Sequence, residues 1–199
     1  MIMDATTLLG ILQSLVPGVT FEPVPAPDCH TFVVPRDRLV DICRVLRDAP
    51  ELGFSCLADV TAVDFYPREP RFEVVYQLVC LGVPDVPRPG SGLTPARLRL
   101  KVRLAGDAAR VATVSTVYPN ANWAEREVFD LFGIVFEGHP DLRRILMPDD
   151  WEGHPLRRDY PVQVTVPYKT HEQLQMSEEE FVANITRQRL ATGQTRKPS

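Results

Sequence analysis

The chain lacks the motifs that usually mark a cofactor or nucleotide site. Its four cysteines stand far apart, at Cys29, Cys43, Cys56 and Cys80. They form no CxxC pair and no iron–sulfur spacing, which argues against a zinc site or a cluster built by this chain alone. A GxGxxG fingerprint, a P-loop and a GxSxG elbow are also missing, so nucleotide binding and serine-hydrolase chemistry have no support in the sequence. We interpret the cysteines as buried thiols in a reducing compartment.

Long apolar runs and clusters of positive charge are absent as well. The longest apolar runs have the length of a strand, far below the roughly 20 residues needed to cross a bilayer. Residues 1–20 lack the basic start and the small-residue cleavage pattern of a signal peptide. The net charge is −4 without a local Lys/Arg cluster, which argues against binding to nucleic acid. We therefore expect a protein of the cytosolic side that contacts a membrane only through a partner.

The 199 residues are enough for one domain with a hydrophobic core and an appendage. Helical spacing of apolar residues predicts helices at about 4–16, at about 36–48 and from Asn122 onward. Alternating patterns predict strands at 19–24, 30–34, 54–65, 71–81, 96–104 and near 111–117. The strands at 54–65 and 71–81 are expected to pair as a hairpin. Short connections of this kind favour an α+β domain with a mixed, largely antiparallel sheet and helices packed on it.

The C-terminal part is predicted to be an extended arm. We place the α+β domain at residues 1–137 and the arm, with a short terminal helix, at 138–199. The terminal helix is indicated by a capping box in which Ser177 and Glu180 stand three residues apart. A stretch rich in proline and glycine, 82–95, is interpreted as a surface loop. The arm is expected to dock on a partner subunit.

One stretch, residues 122–161 (the signature segment), is unusual in composition. It is rich in aromatic residues, arginine and proline, and after its first helix it has no periodicity that would let it pack on itself. It is also too apolar for a disordered tail. We therefore expect a second polypeptide to cover it, which indicates assembly more than catalysis.

The signature segment opens with a charged helix that has a simple explanation. Asn122 is a candidate N-cap, Glu125 three residues later completes a capping pattern, and Gly133 suits the position after the last turn. Arg126 can pair with Asp130 at a spacing of four residues. On these grounds a capped, solvent-exposed helix face is the favoured interpretation.

Two other interpretations of this helix stay open. Its charged side chains can instead meet charges on another subunit; these residues are Glu125, Arg126, Glu127 and Asp130. A catalytic pair of carboxylates is the weakest alternative, because no nucleophile, base or set of metal ligands accompanies it.

The two histidines of the segment each precede a proline, in the similar runs Gly138–Arg144 and Gly153–Arg158. A residue before proline is kept out of the helical region, so both runs are expected to be extended. The spacing of His139 and His154 fits no standard metal site, and hydrogen bonding is favoured over metal ligation.

Adjacent arginines and large apolar residues are the candidate contacts of the segment with a partner. Arginine pairs in extended peptides more often bind carboxylates of a partner than phosphate; here they are Arg143, Arg144, Arg157 and Arg158. Aromatic and apolar side chains of the segment are also suited to fill pockets on a partner; they are Leu146, Met147, Trp151 and Tyr160. The alternative is that some of these pack back on the domain's own sheet.

These residues also carry a family resemblance. The run E-R-E-V-F-D-L-F at 125–132, His139, R-R-I-L at 143–146 and M-P-D-D-W-E-G-H-P-L-R-R-D-Y-P at 147–161 resemble the signature of the C subunit, the 30 kDa-type subunit, of bacterial NADH:quinone oxidoreductase (respiratory complex I). The mitochondrial complex has a counterpart of the same mass class. Chain length and element order are similar to the family across nearly the whole protein.

The resemblance implies a structural subunit without redox groups of its own. NADH, FMN, the Fe–S clusters and quinone would belong to other subunits of the complex, which couples NADH oxidation and quinone reduction to proton translocation. This chain would lie in the hydrophilic arm at the cytoplasmic face of the bacterial inner membrane, as a peripheral subunit. It would hold the quinone-site subunit (the D subunit of the complex) and lie near the Fe–S subunits, positioning its neighbour rather than catalysing a step.

The resemblance also implies partner-binding roles for the signature residues. They are Glu125, Arg126, Glu127, Asp130, His139, Arg143, Arg144, Trp151, His154, Arg157, Arg158 and Tyr160. An equivalent subunit of a membrane-bound hydrogenase, or of a quinone reductase with another electron donor, is an alternative. A free-standing acid/base hydrolase using Glu127, Asp130 and His139 is a remote one.

Overall fold

The computed structural model describes residues 5–81, 96–106, 108–161 and 177–191. The chain divides into two units, Met1–Tyr160 and Pro161–Ser199. The predicted loop at 82–95 and the stretch of the predicted arm at 162–176 lie outside the described residues.

The first unit contains three α-helices and seven strands among its described residues. In chain order they are α1 (Ala5–Leu15), β1 (Glu22–Val24), β2 (His30–Val33), a 3₁₀ turn (Arg36–Arg38), α2 (Leu39–Asp48), β3 (Cys56–Asp64), β4 (Phe72–Cys80), β5 (Ala96–Leu104), β6 (Arg110–Ala112), α3 (Ala121–Phe132) and β7 (Val135–Glu137). The predicted strand near 111–117 is therefore only three residues long. It ends early because the Val114 carbonyl accepts the amides of Val117 and Tyr118 at 2.9 and 2.8 Å, which turns the chain.

Five strands form one sheet in the order β1-β2-β5-β4-β3. The pairs β1–β2, β5–β4 and β4–β3 are antiparallel, and β2–β5 is parallel. The predicted hairpin is confirmed, with register from Cys56 opposite Val79 to Asp64 opposite Phe72. Strands β6 and β7, the second of which the sequence patterns did not predict, form a small parallel pair. The fold is thus an α+β domain with a mixed, largely antiparallel sheet, as expected.

The core follows the apolar patterns of the sequence. On β5 the predicted inward residues Leu98, Leu100 and Val102 have no exposed surface, and each buried leucine contributes about 1.5–3 kcal/mol. The helices add a larger set of fully or nearly buried residues, which includes Leu8, Leu12, Leu39, Ile42, Leu46 and Val128. Among the cysteines, Cys43 and Cys80 are buried and the other two are half-buried, and all four are free thiols.

Hydrogen bonds fix the start of α3 on the rest of the domain. The Tyr118 hydroxyl donates to the carbonyls of Phe54 and Cys43, at 2.8 and 3.3 Å. The side-chain amide of Asn120 donates to the carbonyl of Leu57 on β3. These bonds set the direction in which α3, the first element of the signature segment, leaves the turn.

The second unit contains helix α4 (Glu178–Ala191) among its described residues. The predicted capping box is confirmed. The Ser177 amide donates to Glu180 Oε2 at 3.1 Å, and the Glu180 amide donates to Ser177 Oγ at 3.2 Å. Within the described ranges, none of the helices has the length and apolar character that a membrane span requires.

The compact first unit extends further than the expected boundary at residue 137. Residues 138–160 belong to it, because their side chains and amides bind groups of α3 and of the β3–β4 hairpin. Part of the predicted arm therefore packs on the chain's own domain, which is the alternative that the sequence left open.

Candidate interaction surface around helix α3

Asp130, near the end of α3, is the centre of the polar contacts of the signature segment. Its side chain has no exposed surface. Oδ1 accepts Arg144 Nη1 at 2.6 Å, and Oδ2 accepts the amides of Ile145, Leu146 and Met147 at 3.0, 2.8 and 2.8 Å. Burial acts to raise the pKa of Asp130, but these donors outweigh it and hold that pKa below its ordinary value. The carboxylate therefore stays ionised and fixes three consecutive residues of the following loop.

The guanidinium of Arg144 connects that loop to the next one. Its Nη2 donates to the carbonyls of Trp151 and Gly153, each at 3.0 Å. Arg126, one turn earlier on α3, donates to the carbonyls of Arg143 and Arg144 at 3.1 Å. The predicted Arg126–Asp130 pair is therefore wrong, because Asp130 binds Arg144 and Arg126 binds main-chain carbonyls.

The two similar Gly-His-Pro runs bind opposite ends of α3. In both, the glycine has a φ of +80°, which favours glycine because it lacks a Cβ. The ring of His139 bonds the carbonyl of Asn122 in the first turn at 3.1 Å. The ring of His154 donates from Nδ1 to the carbonyl of Asp130 in the last turn at 2.9 Å. Hydrogen bonding, the favoured use of these histidines, is what the structure shows.

The second run also binds the C-terminal carbonyls of α3, which a helix leaves without internal partners. The Leu156 amide donates to the Leu131 carbonyl at 3.0 Å, and Arg157 Nε donates to the Phe132 carbonyl at 2.6 Å. A cation at this position also complements the helix dipole. Gly133 ends the helix with a φ of +74°, as predicted, and a Cβ there would lie 2.5 Å from the His154 ring.

A second ion-pair cluster attaches the end of the first unit to the β3–β4 hairpin. Arg71 is buried and binds both carboxylate oxygens of Asp64, at 3.1 and 3.0 Å. The same guanidinium donates to Asp159 at 2.6 Å, and the Arg158 amide donates to Asp64 at 2.9 Å. Burial raises the pKa of Asp64, but the Arg71 and amide bonds outweigh it, so the pKa lies below its ordinary value. Asp64, Arg71 and Asp159 were not among the predicted site residues.

Glu125 has a different role from the predicted capping residue. Helix α3 begins at Ala121, so Asn122 lies inside its first turn, and the residue before the helix makes no side-chain cap bond. The fully buried Glu125 carboxylate accepts the Thr113 hydroxyl and, at 2.8 Å, the Val114 amide. Burial raises the pKa of Glu125 to about 7, and those two bonds act against the shift. The predicted capping pattern and solvent-exposed face are thus wrong for Glu125 and Asp130.

Each arginine pair has one inward and one outward member. Arg144 and Arg157 bind α3, whereas Arg143 has a side chain that is 75% exposed and pairs locally with Asp141, and Arg158 is exposed. Glu127 is also exposed. Among the predicted partner-binding residues, the charged ones with exposed side chains are thus Glu127, Arg143 and Arg158, and the acidic residues Asp149, Asp150 and Glu152 of the segment are exposed as well.

Large apolar side chains lie on the outside of the same structure. Leu146 is 58% exposed and Leu156 51% exposed, and Trp123 at the start of α3 is 63% exposed under the guanidinium of Arg126. With Ile145, which is 36% exposed, these are the exposed large apolar residues of the signature segment among the residues that the structure describes. By contrast, Trp151 and Tyr160 are half-buried and stacked on each other, with ring centroids 6.5 Å apart.

Among the described residues, no group of three or more His, Cys, Asp or Glu side chains could hold a metal ion. A surface cleft of about 520 Å³ is lined by Gly18, Thr20, Glu22, residues 33–38 and Arg103, none of which belongs to the signature segment. Glu125 and Asp130 are instead bound by groups of the chain itself.

Comparison with known proteins gives a consistent family. The sequence model described as respiratory-chain NADH dehydrogenase, 30 kDa subunit, matches residues 32–166. The NADH-quinone oxidoreductase C subunit of Roseiflexus sp. (strain RS-1) is 43% identical over 163 residues, which cover 81% of this chain and 87% of that one. The protein of the same name from Geobacter sulfurreducens is 49% identical over 134 residues, covering 67% and 75%.

Solved structures agree with the sequence relatives. A trypsin-resistant fragment (1–134) of Nqo5 is 34% identical, with a TM-score of 0.51, and the match covers 69% of this chain and 98% of the fragment. A chain of a membrane-bound sulfane sulfur reductase, an archaeal respiratory membrane complex, matches with a TM-score of 0.63 over 98% of this chain. At 23% identity that second likeness shows the fold alone.

Proposed function

Because the chain belongs to the family of the 30 kDa subunit of respiratory-chain NADH dehydrogenase, we propose that it acts as a structural, non-redox subunit of a proton-translocating NADH:quinone oxidoreductase. Its task in the complex is to position the quinone-site subunit. NADH, FMN, the Fe–S clusters and quinone are bound by other subunits. The chain lies at the cytoplasmic face of the inner membrane, where it is held through the complex.

The observation that carries this proposal is the division of the signature segment into an inner and an outer side. Its buried polar groups bind each other and α3, and this network keeps Leu146 and Leu156 more than half exposed. We infer that these side chains form one apolar patch, the kind of surface that is typical of protein–protein contacts. Cations at the rim, such as Arg143 and Arg158, suit contacts with carboxylates of a partner.

The partners that fit this surface are the quinone-site subunit and the neighbouring Fe–S subunits. Leu146, Leu156 and Trp123 provide the apolar centre, and Glu127, Arg143 and Arg158 provide the charged rim. The inward residues Arg126, Asp130, Arg144 and Arg157 contribute indirectly, because they hold the outer side chains in place. The same holds for His139 and His154.

A co-purification experiment tests the proposed surface. We expect Leu146→Ser with Leu156→Ser to weaken binding to the co-expressed quinone-site subunit by at least about 30-fold, since truncating a central apolar contact costs about 2 kcal/mol or more. Leu15→Ser is the matched control, because Leu15 is 39% exposed on α1, outside the signature segment. Size exclusion measures the complex, and circular dichroism checks the fold of each variant.

Normal co-purification of the double variant with the quinone-site subunit would contradict the proposed surface. Reversing the charge of Arg143 and Arg158 is the second arm, and it should weaken the complex further at low salt. Arg144 is unsuitable for such a test because its guanidinium is bound to the buried Asp130.

Two alternatives are separated by simple measurements. An equivalent subunit of a complex with another electron donor would be encoded beside a hydrogenase or other donor-specific subunit rather than beside flavin- and NADH-binding subunits. A free-standing hydrolase would turn over substrate without partners. We expect the purified chain to show neither NADH oxidation nor hydrolysis.

A further inference from the structure

A buried polar cluster lies beside the first turns of α3, and the proposed structural function assigns no role to it. Its centre is Glu125, whose side chain has no exposed surface. The His139 side chain is equally buried and lies 3.9 Å away, from Nε2 to Glu125 Oε2. His139 is therefore the nearest group able to carry a positive charge toward Glu125.

The hydrogen bonds of His139 show which of its ring nitrogens accepts and which donates. The Asp141 amide donates to Nδ1 at 3.0 Å, and since an amide can only donate, Nδ1 carries no hydrogen. Nε2 then carries the hydrogen and donates to the Asn122 carbonyl at 3.1 Å. Placing a proton on Nδ1 would break the Asp141 bond, so the ring gives Glu125 no charge compensation while residues 139–141 keep this geometry.

Two hydroxyls link Glu125 to the outer part of the domain. Thr113 Oγ1 contacts Glu125 Oε2 and lies 2.8 Å from Ser115 Oγ, and Ser115 is half-buried. A hydroxyl both donates and accepts, so the chain from Ser115 to Glu125 can run in either direction. With Glu125 ionised, Thr113 donates to it. With Glu125 protonated, the carboxyl donates to Thr113, and Thr113 donates to Ser115.

We propose that Glu125 is a proton-binding site, reached through the hydroxyls of Ser115 and Thr113, whose protonation state controls how tightly residues 139–141 stay closed over α3. With the proton bound, the cluster is neutral and fully hydrogen-bonded. With the proton released, a buried negative charge has no cation beside it. Opening of the loop at His139 then lets water reach the carboxylate.

The surroundings of Glu125 are consistent with a site that titrates near neutrality. The titratable groups facing it are Cys43 on α2, Tyr76 on β4 and His139 on the loop. Cys43 and Tyr76 are buried neutral groups whose pKa values are raised, first by burial and then by Glu125 itself. They supply no positive charge, in agreement with the raised pKa of Glu125.

The direction of the pH effect follows from linkage. The folded chain holds the Glu125 proton up to a pKa of about 7, whereas the unfolded chain releases it near the ordinary value of 4.5. The contribution of Glu125 to the free energy of unfolding therefore falls as pH rises from 4.5 to 7, and this loss of stability is complete above pH 7. The pKa difference corresponds to about a 300-fold change in the folding equilibrium constant.

Amide exchange of the full chain tests the proposal. After correction for the exchange rate of a free peptide, we expect the protection of the Asp141 amide to fall about tenfold between pH 6 and pH 8. The Met147 amide, bound to the ionised Asp130, should keep its corrected protection over the same range. Carbon-13 NMR of labelled glutamate should place the Glu125 titration near pH 7.

Glu125→Gln provides the decisive comparison, because the amide can accept from Val114 and donate to Thr113 as the protonated acid does. In this variant the Asp141 protection should no longer depend on pH, and Glu127→Gln, the same change at an exposed position of α3, should leave the dependence intact. Persistence of the pH dependence in Glu125→Gln would overturn the proposal. If that variant does not fold, the NMR titration of the unaltered chain decides, and a Glu125 titration near pH 4.5 would be the contrary result.

Discussion

The buried charged residues of the signature segment bind mainly backbone amides and carbonyls of the same chain. Asp130 binds three consecutive amides and one guanidinium, and Arg144 binds two carbonyls in addition to that carboxylate. A buried ion pair of this kind contributes little net stability compared with an apolar pair. Removing one partner is costly, however, because the other charge is then left buried.

We predict that Asp130→Ala lowers the free energy of unfolding by about 3–5 kcal/mol, since it leaves Arg144 and three amides without their acceptor. Urea unfolding followed by circular dichroism measures the change. Glu127→Ala removes a carboxylate from an exposed position of the same helix and should cost no more than about 0.5 kcal/mol. Equal losses in the two variants would show that Asp130 is not a structural centre.

The residues of this network could be named from the sequence, but most of their partners could not. The helical spacing of α3 predicts contacts between side chains four residues apart, and on that basis an ion pair between Arg126 and Asp130 was expected. That spacing cannot predict that a loop brings Arg144, fourteen residues after Asp130, into contact with the Asp130 carboxylate. Asp64 and Arg71 had a usable signal, since they flank the turn of a predicted hairpin, whereas nothing in the sequence joins Asp159 to them.

At the scale of elements, α3 is bound at both ends by the two Gly-His-Pro runs.

The strands were predicted well where polar and apolar residues alternate, and β5 has the predicted bounds. Strand β7 was missed because three residues, only one of them buried, give no periodicity. The repeated run was visible in the sequence, but its use on opposite ends of one helix requires the fold.

Gly133→Ala tests the contact between the second run and the end of α3. A side chain there needs a left-handed backbone, and its Cβ would lie 2.5 Å from the His154 ring and 2.6 Å from Arg157. Gly106→Ala is the matched control, because Gly106 has a φ of +71° and an added Cβ meets nothing within 4 Å. Both variants lose about 1–2 kcal/mol to backbone strain.

We expect thermal or urea unfolding to show that Gly133→Ala costs about 1–3 kcal/mol more than Gly106→Ala, the range typical of overpacking. Equal costs would mean that the second run does not bind α3 as described.

At the scale of the whole molecule, three of the buried carboxylates fall into two groups with opposite responses to pH. The pKa values of Asp64 and Asp130 are lowered, because their hydrogen-bond donors outweigh burial, whereas the pKa of Glu125 is raised by burial. The compact unit that contains them ends at Tyr160. Hydrophobic periodicity could not predict that boundary, since polar contacts rather than an apolar stripe attach residues 138–160.

We predict that acid weakens the fold below about pH 4. The unfolded chain takes up protons on Asp64 and Asp130 near the ordinary value of 3.8, while the folded chain does so only at lower pH, so the free energy of unfolding falls as pH is lowered through this range. Urea unfolding at pH 5, 4 and 3 measures the slope. Asp64→Asn should reduce the slope of stability against pH. Asp59→Asn, at an exposed position, is the control and should leave that slope unchanged. Greater stability of the unaltered chain at pH 3 than at pH 5 would refute the prediction.

The position of the stabilising groups in the chain also determines when the apolar surface is complete during synthesis. Leu146 and Leu156 leave the ribosome before His154, Arg157 and Asp159 have all reached Asp130, Phe132 and Arg71. A nascent chain therefore has a finished core sheet before it has a fixed binding surface. Under the proposed function, a partner subunit would meet a fixed surface only after residues 154–159 have bound α3 and the β3–β4 hairpin.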